Sequence, residues 1–545
     1  MTRARLRPLF FVAAFAACVG CAPAARPEGA AGPHAWTQHG VLRVATSLAP
    51  NTLNPILSTQ QVEALVQGFA MDPLIATDEK GADVPILAAA VPTLENGGIA
   101  RDGLSVTYKL RRNVRWQDGA PFTSHDVSFT YRAIMNPATA VATRHGWDEI
   151  ARVDTPDRYT AVFHLKRPFA PAVHTFFAHS DAPYFVLPAH LLERYHSLDR
   201  VPFNAKPVGT GPFKVVRWLR GDRIEYVAND DYFLGKPKLR KVIVHLVPDE
   251  NTIANQVRAH EIDWFSAATP RMYPQLKPIG EVDVRLVPMN ANDAIIFNTR
   301  RPPFDDPSVR RAVGLAIDKP LLVREATFGT TVAATEDLPP FLWAFDPKAG
   351  TTARDLPGAK ALLERAGWTP SADGVRFKDG KRLTMGLAFR TDSITDRNRG
   401  VLIASMLKDA GIETELKGYT TGLLYGPPGQ GILADGKYDA GLQTWYSGSD
   451  PDNSTQLTCD QVAPKGFNWS RYCEPAMDAA QRTALSHYDR PTRKRAYAAI
   501  EELLARDAPF VYLWWPRQIE AVNTDLKNFR PNGIVENWNA YQWSI

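Results

Sequence analysis

Long apolar runs are almost absent from this sequence. Only the stretch from Leu9 to Val19 is continuously apolar, and it is shorter than the roughly 20 residues a bilayer-crossing helix needs. No other segment is long and apolar enough to span a membrane, so any attachment has to be made by lipid. A basic block is also missing: the net charge is only +5, which gives nucleic-acid binding no support. Catalytic signatures are missing too. There is no H-E-x-x-H, no Walker loop, no G-x-G-x-x-G and no G-x-S-x-G. No nucleophile–base pair or metal centre can be assembled, so a secreted hydrolase is the remote reading and no cofactor is expected. Cysteine is scarce. Of four, Cys18 and Cys21 lie near the N-terminus, which leaves Cys459 and Cys473. In an oxidising compartment such a local pair reads as a disulfide; the rival metal site lacks a His between the two and fits no zinc spacing.

What is present begins with a leader. Arg3, Arg5 and Arg7 precede the apolar run, and Gly20-Cys21 closes it, the layout of a secretory signal peptide over residues 1–21. Cys18-Val19-Gly20-Cys21 resembles a bacterial lipobox with Cys18 in place of the usual Leu, which predicts lipidation of Cys21. Residues 22–35 are rich in Pro and Ala and read as a flexible tether.

The remainder has ordinary globular composition, 45% hydrophobic and 22% charged, and a length suited to two or three domains. Period-two alternation predicts strands at Val41–Thr46, Ser105–Leu110 and Tyr159–Leu165, and one sheet from Phe213–Leu219, Ile224–Ala228 and Lys241–Val247. Asp306-Pro307 predicts a helix start, with Val309, Ala312, Val313, Ala316 and Ile317 on one face. Gly367 and Gly411 predict left-handed ends for helices over Ala359–Ala366 and Asn398–Ala410. The second of these, between strands Leu383–Phe389 and Ile412–Leu416, forms a βαβ unit. Pro491–Ala508 reads as the last long helix, before strands Phe510–Trp514 and Ile519–Val522. Gly209-Thr210-Gly211-Pro212 opens no helix and reads as a tight turn rather than a phosphate cradle. The pairs His174/His179 and His190/His196 read as partly exposed polar histidines rather than metal ligands.

Several motifs together carry a resemblance. They are Thr52-Leu53-Asn54-Pro55; Asp102-Gly103-Leu104-Ser105-Val106-Thr107-Tyr108; Val114-Arg115-Trp116-Gln117-Asp118-Gly119; Gly209-Thr210-Gly211-Pro212-Phe213; Asp231-Tyr232-Phe233; and Glu261-Ile262-Asp263. In this order they resemble the family 5 extracellular solute-binding proteins, the dipeptide-, oligopeptide- and nickel-binding components of ABC importers. The resemblance runs from about Val41 to the C-terminus. It implies an α/β fold of the periplasmic-binding-protein type II, with mixed sheets and three lobes. Domain I would comprise 36–74, 207–288 and 515–545; domain II is inserted at 75–206; domain III covers 289–514. Ligand would be enclosed between I and III by hinge closure. The implied protein is a periplasmic or cell-envelope monomer on a lipid anchor, partnered by a permease and an ATPase. It would capture peptides or another small solute: an oligosaccharide, a metal chelate or an opine.

A free peptide is a zwitterion, so an enclosing cleft has to pair both charges. The segment Thr444-Trp445-Tyr446-Ser447-Gly448-Ser449-Asp450-Pro451-Asp452 follows a strand expected at Tyr438–Gln443. In the peptide binders an Asp usually lies three residues after this Trp and pairs with the ligand amine. Here Gly448 stands there, which leaves Asp450 or Asp452 for that role, or a turn role for Asp450 before Pro451. Trp445 and Tyr446 are expected wall residues. Arg390, at the end of its strand, is the expected carboxylate partner. Thr52 and Asn54 are expected to contribute from domain I. Cys459 and Cys473, with Asn468 and Tyr472 between them, also resemble the disulfide loop of the peptide binders.

Overall fold

Two mixed sheets, each with helices packed on it, organise the chain. The protein is seen here in a computed structural model, which describes residues 33–545 apart from 59, 179, 181–183 and 351. The leader with Cys18 and Cys21, the tether as far as residue 32, and His179 therefore lie outside the described residues. Trp36–Ile545 folds as one unit.

The first sheet has seven strands in the order Val282–Pro288, Arg517–Asn523, Trp264–Ala268, Val41–Thr46, Lys241–Leu246, Arg223–Ala228, Phe213–Leu219. Val41–Thr46 runs parallel to both of its neighbours, while the last three strands form the antiparallel meander the alternation predicts. The second sheet has six strands: Val332–Ala333, Phe510–Trp515, Ala291–Phe297, Ala440–Tyr446, Thr384–Arg390, Glu413–Tyr419. Its Thr384–Arg390 and Glu413–Tyr419 strands are parallel and joined by the helix Ile394–Asp409, the βαβ unit read from the sequence. This helix starts a turn earlier than periodicity alone suggests. Ser393 supplies the cap, its hydroxyl accepting the Asp396 N–H at 3.2 Å. The helix before it starts early for the same reason: Asp355 caps Leu356–Arg365 through the Gly358 N–H. Gly367 and Gly411 close these helices at φ +86° and +83°.

The segment between the early strands, 75–206, packs against the first sheet. Its antiparallel sheet of Ser105–Lys109, Thr160–Leu165 and Ile150–Asp157 shares one apolar core with the first sheet. Tyr108, Trp147, Phe163 and Phe176 belong to the same buried cluster as Leu42, Val44, Phe213 and Trp264. The Gly209-Thr210-Gly211 turn holds this junction tightly. A Cβ on Gly209 would lie 1.9 Å from the Ala70 carbonyl oxygen, so only glycine permits that approach. The second sheet buries its own clusters on its two faces. Taking the first sheet with the 75–206 segment packed on it as one lobe and the second sheet with its helices as the other, the chain passes between them twice: from Pro288 to Ala291, and from Trp515 through Pro516 to Arg517.

Cys459 and Cys473 are joined as a disulfide, with Cα atoms 4.6 Å apart. Closing a loop of about 15 residues in the unfolded chain contributes roughly 3 kcal/mol. Cys473→Ser is therefore expected to lower stability by about that amount in urea unfolding of the oxidised protein.

Candidate functional site

The strand Ala440–Tyr446 reaches the gap between the lobes and presents a different surface on each face. Residues alternate sides along a strand, so Trp445 and Gln443 share one face while Thr444 and Tyr446 share the other. On the first face, the Trp445 ring lies 5.5 Å from Phe467 and 6.5 Å from Trp469 between centroids. Phe467 and Trp469 pack edge to face at 5.7 Å, and Tyr425 joins Trp469 at 5.7 Å. The disulfide loop carries Phe467 and Trp469, so the covalent closure of that loop fixes half of an aromatic wall.

This wall bounds a cavity of about 1240 Å³. Its far side comes from the other lobe, through Thr143–Glu149 and Arg167–Phe169. Phe467 is 42% exposed, Trp469 is buried beneath it, and the edge carries charges of both signs. Arg482 and Lys465 reach the cavity without an ion-pair partner among the described residues, and Asp148 faces it from the opposite lobe.

On the second face lies a charged network. Arg390 is bound to Asp396 at 2.7 Å, and Asp396 also pairs with Arg399 at 2.9 Å. Arg399 is fully buried and also binds Asp293, whose carboxylate accepts the Thr444 hydroxyl at 2.7 Å. Burial opposes ionisation of Asp396, but Arg399 and Arg390 outweigh it and hold the carboxyl below its ordinary range. Arg390 thus has an internal carboxylate partner for its Nε and Nη2. Tyr446, 53% exposed, stands over it.

The expected acidic positions also have internal partners. Asp450 is buried, and Arg493 grips it with two bonds of 2.6 and 2.8 Å. This carboxylate therefore has a guanidinium of its own lobe as its partner. Asp452 accepts the Ser454 N–H at 2.9 Å and lies 4.0 Å from His145 of the other lobe. Thr52 and Asn54 are buried and shape the loop after the first strand. The Thr52 hydroxyl accepts the Asn54 N–H, and Asn54 donates to the Asn204 side chain at 2.9 Å. None of the anticipated residues lines the cavity itself; Trp445 comes nearest, packing behind the lining rings of Phe467 and Trp469. Phe467, Trp469 and Tyr425 were not anticipated; the signal available for the first two was their position inside the Cys459–Cys473 loop. No cluster of three or more His, Cys, Asp or Glu suited to a metal occurs among the described residues, and no described helix is long and apolar enough to cross a membrane.

The family model for bacterial extracellular solute-binding proteins, family 5, matches residues 75–464. The chain belongs to that family. Two further likenesses extend over nearly the whole protein. Protein XP55 of Streptomyces lividans is 29% identical over 479 residues, covering 86% of this chain and 82% of the relative. The oligopeptide-binding protein AppA of Bacillus subtilis is 26% identical over 520 residues, covering 93% of this chain and 92% of the relative. The solved structure of AppA in complex with a nonapeptide aligns with a TM-score of 0.76 at 25% identity, covering 93% of this chain and 99% of that one. The family 5 protein is accordingly a solute-binding component of an ABC importer, a binding protein rather than an enzyme by family.

The charged network makes a prediction for this family 5 protein. Asp396→Asn leaves Arg390 without its carboxylate and Arg399 with Asp293 alone, and should cost about 3 kcal/mol at neutral pH. The Asp396 carboxyl is held below its ordinary 3.8 in the folded state, so its contribution is complete above that value and lost as the pH falls through the lowered one. The stability gap between wild type and variant should therefore narrow in acid, which urea unfolding at pH 7 and pH 3 measures.

Proposed function

We propose that this protein captures peptides in the cavity between its lobes and delivers them to the permease and ATPase of an ABC importer. The observation that carries this reading is the cavity itself. At about 1240 Å³ it exceeds the roughly 300–1,000 Å³ of pockets that hold drug-sized ligands, and it is walled on one side by aromatic rings packed edge to face. A peptide suits these walls. Its side chains can lie on Phe467, Trp469 and the Trp445 ring behind them, and aromatic faces accept many side-chain types. Arg482 and Lys465 offer partners for a carboxylate, and Asp148 for an amine. In this reading Arg390, Asp450 and Asp452 hold the frame through their internal bonds, while Thr52 and Asn54 set the loop beside the gap. The match to an oligopeptide-binding relative and to a structure holding a nonapeptide supports a peptide ligand.

The same proposal includes export by the leader and a lipid on Cys21, which would hold the protein at the membrane where its permease lies. Cys21→Ala is expected to move the protein from the membrane fraction to the soluble fraction; an unchanged distribution would remove the lipid anchor from the account.

Ligand class is tested by thermal shift of the mature protein against peptides of two to nine residues, simple oligosaccharides and metal–amino-acid chelates. A peptide at 100 times its dissociation constant should add about 2.7 kcal/mol of stability. A shift with sugars or chelates and none with peptides would overturn the peptide reading. For any peptide that binds, Phe467→Ala should weaken affinity by about tenfold, equivalent to about 1.4 kcal/mol, with little change in the stability of the free protein because this side chain is largely exposed.

A further inference from the structure

Beside the cavity, the two lobes meet through a cluster whose charged members do not line it. His174, in the short helix Ala172–Thr175 of the first lobe, is placed between two carboxylates. Its Nε2 lies 2.9 and 3.0 Å from the oxygens of Asp83 in the same lobe. Its Nδ1 lies 3.7 Å from Asp450 of the other lobe, and Arg493 holds Asp450 from behind. Arg493 is itself buried; it donates to the Ala484 carbonyl at 2.9 Å and lies over the Trp343 ring. None of these four residues lines the large cavity.

The contact continues on both sides of His174. The Ala170 N–H donates to the Leu485 carbonyl at 2.7 Å across the lobes. The Tyr488 hydroxyl is 3.1 Å from the carbonyls of Gly103 and of Phe169. The other titratable groups around the cluster are Tyr108, beside Asp83; Tyr488 with Asp102; Tyr497, beside Asp450 and Arg493; and Asp452 with His145. The three tyrosines and the single arginine do not change charge near neutral pH, since burial moves Tyr108, Tyr488 and Tyr497 upward.

A neutral imidazole has one N–H and one lone pair. Placed here, it would aim that lone pair at a carboxylate whichever tautomer it took. Only the imidazolium satisfies Asp83 and Asp450 together. We propose that His174 is an interlobe latch, a cation clamped between Asp83 of one lobe and the Asp450–Arg493 pair of the other, so that bringing the lobes together takes up a proton. The latch positions the lobes and thereby sets how firmly they close around whatever the cavity holds. It rests on the reading that solute is captured by lobe closure, but its test needs no solute.

The sign follows from the partners. Burial alone would lower the basicity of His174, but Asp450 and Asp83 outweigh it and push it up to about 9 when the lobes are in contact, from an ordinary 6.5. Parting the lobes removes Asp450 and leaves Asp83, so the separated value lies between these two. Closure is then fully favoured below the separated value and weakens by up to about tenfold per pH unit as the pH rises toward 9.

Hydrogen exchange of the solute-free protein reads this directly at the Ala170 amide, whose partner is on the other lobe. After correction for intrinsic exchange, wild-type protection there should fall as the pH rises from 7 to 10, while the buried centre of the strand Arg223–Ala228, Ile224 to Tyr226, stays protected. His174→Gln should have low protection that no longer depends on pH. Tyr488→Phe should lose protection at every pH yet keep the pH step, because it removes a cross-lobe contact that does not titrate. Asp83→Asn should move the step to lower pH, a result that stands even if the His174 variant folds poorly. A flat wild-type profile, a step that survives His174→Gln, a step abolished by Tyr488→Phe, or a step unmoved by Asp83→Asn would each overturn the latch. Failure of peptide binding would leave these profiles untouched, so the two ideas fail separately.

Discussion

The structure depends on two strand crossovers set side by side. The chain leaves the first sheet at Pro288 and enters the second at Ala291; it returns from Trp515 to Arg517 across a single residue. The Met289 N–H donates to the Pro516 carbonyl at 3.2 Å and ties the two crossings together. Pro516 has no N–H to extend either ladder, so pairing breaks there and the sheets are free to differ in orientation. Two adjacent covalent links define an axis. Lobes joined only along such an axis can rotate about it, and what lies opposite the axis decides when they meet. Both the cavity and the His174 cluster lie across this division: each draws residues from the 75–206 segment and from the second lobe.

The strand that ends nearest the axis divides the chemistry. Ala440–Tyr446 sends Trp445 toward the aromatic wall and Thr444 toward buried Asp293 and Arg399. The charged side is closed on itself, because buried charges left unpaired are costly and each guanidinium there has a carboxylate. The aromatic side is left for contact with something else. Period-two alternation in one strand thus separates a rigid, self-satisfied base from an adaptable wall.

Much of this was legible in the sequence, and the rest was not for a definite reason. Alternation located the strand meander of the first sheet, Asp306-Pro307 located a helix start, and Gly367 and Gly411 located helix ends, because these signals act within a few residues. The family was legible in ordered motifs such as Thr52-Leu53-Asn54-Pro55. Partners distant in the chain were not. Arg493, the partner of Asp450, lies 43 residues away in the chain, and the pairing of Arg390 with Asp396 depends on the turn into the next helix. His174 read as an ordinary polar histidine because neither Asp83 nor Asp450 is near it in sequence. Charge type can be read from one residue, but whether the charge is already satisfied depends on the fold.

The central claim is that the cavity between the lobes, walled by Phe467 and Trp469, holds a peptide. A crystal structure of the protein with a bound nonapeptide tests it most directly. The account predicts main-chain density between the 143–149 loop and the Cys459–Cys473 loop, with peptide side chains against the two rings. Peptide density anywhere else on the protein, with those rings uncontacted, would contradict it.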